Sequence, residues 1–120
     1  MTNANKAKGT RFETDVVNYL RSRGLPAVKP RQEGHEDVGD IHSGLFTIQC
    51  KDWRDVSAAM REAVDGAARQ AGVRAKRSEW PWMTFHPVGV VKRSRKGTQE
   101  AYVIVTLETF ATMAQELLKP

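Results

Sequence analysis

The stretch GDIHSGLFTIQCKDW, residues 39–53, decides how this chain folds. Two short strand-like runs, VGDI and LFTIQCK, flank Ser43-Gly44, and a serine-glycine pair marks a turn. The segment therefore predicts a hairpin. Side chains alternate across a strand, so Phe46, Ile48 and Cys50 share one face, and Thr47, Gln49 and Lys51 share the other. The first set is apolar and belongs to a core, which makes Cys50 a small buried residue rather than a nucleophile. The second set is polar. A two-residue turn at Ser43-Gly44 places Asp40 opposite Thr47, hence on the Gln49 and Lys51 side, with Gln49 a diagonal neighbour about 7–8 Å away. Gly39 beside Asp40 leaves room for close approach by a ligand or another chain.

An acid, an amide and an amine on one face have two readings. One is an ordinary solvated sheet surface. The other is a site for a hard cation such as Mg²⁺, which takes few protein oxygens and keeps several waters. A lysine beside such a cation can hold a phosphate or help activate a water, and the set suits attack on a phosphodiester.

Outward from the hairpin, Phe12, Val16, Val17, Tyr19 and Leu20 form an apolar stripe at helical spacing and predict a helix over residues 11–23, stopped by Gly24 and Pro26. Glu13 borders that stripe and can point towards the sheet. Thr10 to Glu13 also fits a capping box, in which Glu13 would cap its own helix, and both roles are open. AVKPR reads as a short strand, with Pro30 near its end or at an edge, and RQEGHED as a loop. A second helix is expected over residues 56–71, with Asp55 as N-cap and Gly72 as stop; its alanine-rich face allows close packing on a sheet. VGVVK and AYVIV are apolar runs suited to central strands, joined by the basic turn RSRKGTQ. Residues 107–118 close the chain as a helix capped by Thr106. The order α-β-β-β-α-β-β-α predicts an α/β fold: a central mixed sheet flanked by helices, in one domain spanning residues 1–120.

Composition narrows the function classes. With 19 basic and 14 acidic residues the chain carries a net charge of +5. The basic residues cluster in the N-terminal segment, near residues 21–31, at residues 74–77 and in KRSRKG at 92–97, a pattern that suits a polyanion, with nucleic acid first. No apolar run approaches the ~20 residues of a membrane span, and the polar N-terminus lacks the apolar centre of a signal peptide. The lone Cys50 allows no internal disulfide, and a cytoplasmic location is expected. His35, His42 and His86 form no zinc signature with it. There is no P-loop, dinucleotide fingerprint or Ser/His/Asp arrangement.

Glu13, Asp40 and Gln49-Cys50-Lys51, within KGTRFETDVVNYL, EDVGDI and FTIQCKDW, resemble the PD-(D/E)xK nuclease superfamily. That pattern is a helix-1 glutamate, an acid on a first strand, then (D/E)-x-K on the next. The nearer likeness is to archaeal-type and phage Holliday junction resolvases, over roughly residues 6–110. The resemblance implies a restriction-endonuclease-like fold with an αβββαβ core and a Mg²⁺- or Mn²⁺-dependent endonuclease that cuts four-way DNA junctions. It implies metal ligation by Asp40, by Gln49, by Glu13 and by the main-chain carbonyl of Cys50, with Lys51 orienting the attacking water. It also implies a homodimer, phosphate contacts from Lys6, Lys8, Arg11 and Arg31, and, for a phage protein, the host cytoplasm. Gln49 departs from the pattern, which has an acid there. Three explanations stand: a natural enzyme that tolerates glutamine, a domain that keeps DNA binding without cutting, or a substitution that inactivates a natural glutamate. A restriction or repair nuclease acting on linear duplex is a further alternative.

Other residues are weaker candidates. Glu36 and Asp37 are loop acids, His42 lies two residues from Asp40, and Gln70 borders the alanine face of the second helix. Trp53, Trp80 and Trp82 can stack on bases or pack in an interface.

Overall fold

The computed structural model describes residues 3–30, 39–79 and 83–119. The described residues hold three helices and four strands, in the order α1 (Asn3–Ser22), β1 (Ile41–Ser43), β2 (Phe46–Lys51), α2 (Val56–Arg77), β3 (His86–Val91), β4 (Tyr102–Ile104) and α3 (Leu107–Leu117), with a 3₁₀ turn at Thr98–Glu100. The strands form one mixed sheet in chain order. β1 and β2 are antiparallel, β2 and β3 parallel, and β3 and β4 antiparallel. The α/β class, the mixed sheet and the flanking helices are as expected.

The hairpin turns one residue later than the sequence suggests. Gly44 and Leu45 are its central residues, Ser43 pairs with Phe46, and Gly44 takes the left-handed φ of 56° that such a turn asks of its first central position. The register moves by two as a result. Ile41 faces Ile48, and one step further Asp40 comes level with Gln49 instead of Thr47. A two-residue shift preserves the faces, so the expected division of the strand holds. Ile48 and Cys50 enter a core with Phe12, Val16 and Val17 of α1. Thr47 and Gln49 are also buried, on the side covered by α2. The polar face is therefore no solvated surface.

α2 lies against the sheet because its inner face is small. Ala59, Ala63 and Ala67 have no exposed surface. A methyl group on Gly89 of β3 would fall 2.8 Å from Ala63 Cβ, so the contact requires glycine there. Asp55 caps the helix by accepting from the Ala58 N–H at 3.0 Å. The helix does not stop at Gly72 but continues to Arg77. Arg74 holds the extra turn by donating to Gly44 O (2.8 Å), Phe46 O (3.1 Å) and Thr47 Oγ1 (3.2 Å), while its guanidinium lies over the Phe85 ring. These tertiary bonds outweigh the intrinsic cost of one helical glycine, about 1 kcal/mol.

Other boundaries also differ. α1 starts at Asn3 rather than near residue 11, because Ala7, Lys6 and Lys8 are good helix formers. Thr10 and Glu13 are thus interior helical residues and form no capping box. Among the described residues AVKPR contributes a single bridge, Val28 to His42, and no third strand of an αβββαβ core stands before α2. β3 begins at His86 and runs through Pro87. The His86 N–H bonds Leu45 O on the β2 side, which turns the Pro87 nitrogen to the other side, where β4 pairs only from Gly89 onward. β4 is an edge strand, with Val103 exposed, and not a central one. α3 begins after Thr106, which accepts from the Thr109 N–H at 3.1 Å. No described helix is long and apolar enough to cross a membrane.

Candidate active site

A cleft of about 850 Å³ opens at the C-terminal end of β2. Ligands of open α/β sheets bind beyond the carboxyl ends of parallel strands, and this cleft has that position. Glu13 enters from α1, Asp40 from the approach to β1, and Gln49, Cys50 and Lys51 from β2. Residues from three separate segments thus line one space. Lys6 and Lys8 stand on its α1 wall. Arg11 lines a neighbouring cleft instead. Arg31, His35, Glu36 and Asp37 lie outside the described residues, as do Trp80 and Trp82.

Asp40 is positioned by backbone geometry. Gly39 has φ 106°, which ends the β1 ladder, and the Asp40 N–H donates to Ile48 O at 3.0 Å. Asp40 Oδ2 then accepts from the Cys50 N–H at 2.8 Å. A methyl group on Gly39 would fall 2.9 Å from Thr47 Cγ2 and 3.6 Å from Gln70 Oε1, so glycine is needed for this approach and buried Gln70 packs beneath it.

Gln49 is 7% exposed. A methyl group on Gly66 of α2 would lie 3.5 Å from its Cγ, so the small residue leaves space for the amide. Its Oε1 is fully buried and accepts no hydrogen bond from any described residue. A buried acceptor without a donor is costly, by about 1–3 kcal/mol. A cation beside it would remove that cost, so the amide oxygen fits the ligand role.

The thiol of Cys50 reports the local field. Burial pushes its pKa well above the ordinary value, Asp40 and then Glu13 push it further, and Lys29 and Lys51 oppose them. Both carboxylates therefore act on one point of β2. Glu13 Oε1 lies 4.0 Å from Lys29 Nζ, which also donates to Thr14 Oγ1 at 2.7 Å. Lys51 Nζ lies 5.0 Å from the centre of the Trp53 ring. Among the described residues no three His, Cys, Asp or Glu side chains gather as a metal site. Three acids line this cleft, Glu13, Asp40 and Asp52, the last paired with Lys8; with the Gln49 amide beside them they are hard-oxygen groups of the kind that suits Mg²⁺ or Mn²⁺.

His42 lines a separate cleft with Arg74 and Phe85. Several residues at the site carry no motif signal. Lys29 is one basic residue among many in the sequence, yet it sits beside Glu13. Asp52 lines the cleft and pairs with Lys8 at 3.4 Å. Its place directly after Lys51 was the available clue.

No known protein family, curated protein or solved structure matches this chain. The functional reading rests on the residues themselves.

Proposed function

We propose that this chain is a metal-dependent DNA endonuclease on a restriction-endonuclease-like fold, with four-way junctions as its substrate. The observation that carries the reading is that Glu13, Asp40, Gln49 and Lys51 line one cleft, with a donorless buried amide oxygen among them. Asp40, Gln49 and Glu13 would hold Mg²⁺ or Mn²⁺, which would polarise a phosphodiester and make water a better nucleophile at neutral pH. Lys51 steadies a phosphate oxygen and orients the attacking water. The Cys50 N–H fixes the Asp40 carboxylate for its task. Lys6 and Lys8 hold flanking phosphates and make binding salt-sensitive. A homodimer would present two such clefts to two strands. The apolar side chains exposed on β4 and α3, Val103, Leu107 and Phe110, are the surface a second copy would bury.

A second reading, DNA binding without cutting, is favoured by Gln49 in the acid position and by Lys29 beside Glu13, since both reduce negative charge at the site. The test is cleavage of a labelled immobile four-way junction and its matched linear duplex, with Mg²⁺ and with Mn²⁺, by this chain and by Gln49→Glu. Cutting confined to the junction is expected. Sequence-selective cutting of the duplex would move the assignment to a restriction-type nuclease. Junction binding with no cutting by either chain would establish the non-catalytic reading.

A further inference from the structure

The basic turn between β3 and β4 is not used by the site above. It lines a second cleft, of about 480 Å³, at the C-terminal end of β3. Five cations converge there from three segments: Lys8 and Arg11 of α1, Arg54 before α2, and Lys92 and Arg95 after β3. Among the described residues Asp15 and Asp52 are the acids that line it, and Asp52 is paired with Lys8. The cleft is therefore strongly positive.

Its position matters as much as its charge. β2 and β3 are the parallel pair of the sheet, and the Lys92 N–H bonds Lys51 O at 3.0 Å, which ties their C-terminal ends together. The candidate active site opens beyond β2 and the basic cleft beyond β3. Lys8, Asp52, Trp53 and Arg54 form a wall common to both. Trp53 is 42% exposed on that wall, and the ammonium of Lys51 lies over its ring. A single small anion would fill one cleft. Two abutting clefts, one lined by cations, joined by an exposed aromatic ring, suit a polymer with regular phosphates and π-faced bases.

We infer that the cleft of Arg11, Arg54, Lys92 and Arg95 binds the sugar–phosphate backbone of the DNA strand that runs on from the active site, with Trp53 as the platform on which an unpaired base stacks at the junction of the two clefts. The inference deepens the nuclease reading and rests on it for the identity of the polymer. Stacking on Trp53 places the indole against the base while Lys51 remains on the ring, so strand position and the lysine are coupled. Trp53 is a positioning residue in this arrangement.

The test is fluorescence anisotropy with a labelled four-way junction and a labelled single strand, in EDTA, over a range of salt concentrations. Three variants are compared with the full chain: Lys92→Ala/Arg95→Gly, Trp53→Ala and Trp53→Phe. Glycine is chosen at 95 because Arg95 has φ 62°, which glycine adopts without strain. Arg23→Ala/Lys119→Ala removes two charges that line neither cleft and is the control. The double variant is expected to bind about tenfold more weakly, with a log–log salt slope shallower by about 2, one for each lost phosphate contact. Trp53→Ala is expected to weaken single-strand binding about tenfold, with Trp53→Phe restoring most of it and neither changing the salt slope. A double variant indistinguishable from the control overturns the backbone subsite. Trp53→Ala binding as tightly as the full chain overturns the stacking platform. Failure of the unmodified chain to bind either DNA would overturn the nuclease reading itself, a result distinct from both.

Discussion

Gln49 shows how one side chain can carry opposite consequences with and without a cation. Its amide is buried against Gly66 and its Oε1 has no donor among the described residues. Replacing it by glutamate puts a carboxylate in the same space, near Asp40. Burial and a like charge both oppose ionisation there. Gln49→Glu is therefore expected to lose about 1–3 kcal/mol of stability in EDTA and to recover it as Mg²⁺ or Mn²⁺ is added. Thermal unfolding with and without metal checks this. A variant whose stability ignores metal would place residue 49 outside any ligand set.

Cys50 gives a second expectation at the same scale. Its thiol pKa is raised by burial, then by Asp40 and Glu13. The folded chain holds the thiol proton more tightly than the unfolded chain. That contribution to stability is complete below the ordinary thiol value of about 8.5 and is lost as pH rises through the raised one. Alkylation by iodoacetamide at pH 8 should be far slower in the folded chain than in urea, and equal rates would contradict the burial of Cys50.

Among the elements, α2 and its glycine contact do most to shape the site. The helix buries the Gln49 and Thr47 face because Ala63 can approach Gly89 closely. Gly89→Ala forces the two apart and is expected to cost about 1–3 kcal/mol, read from urea unfolding. A loss near zero would show that the helix can retreat without penalty. The alanine face of α2 and the capping residues Asp55 and Thr106 were legible in the sequence because each is a local signal. The end of α2 was not. Gly72 looks like a stop, and only Arg74 reaching back to the hairpin, 27 to 30 positions away in sequence, carries the helix past it. The start of α1 was missed for a related reason: the capping-box pattern at Thr10 to Glu13 is short, and a run of good helix formers before it decides the matter. In the hairpin, the face of each residue survived a two-residue register shift because faces depend only on parity.

At the scale of the whole molecule, the parallel β2–β3 pair sets where chemistry can gather. Its C-terminal ends carry Lys51 and Lys92 to one rim, and α1 brings Glu13 and Lys8 over it. The sequence named most residues of the candidate site, because strand alternation brings Asp40, Gln49 and Lys51 into register. It could not name Lys29, Asp52 or Arg54, whose neighbours are set by tertiary packing. The positive charge, scattered along the chain in clusters, becomes a groove only once the sheet is assembled.

The most direct test of the account is metal-dependent cleavage of a labelled four-way junction by this chain beside Asp40→Asn, at protein concentrations where both bind the junction equally. Asparagine keeps an oxygen to accept from the Cys50 N–H, so the fold and the DNA affinity should persist while the negative charge is removed. The expected result is cutting by the unmodified chain and a loss of at least about a hundredfold in rate for Asp40→Asn. Equal rates from the two chains would contradict the assignment of this cleft as the catalytic centre.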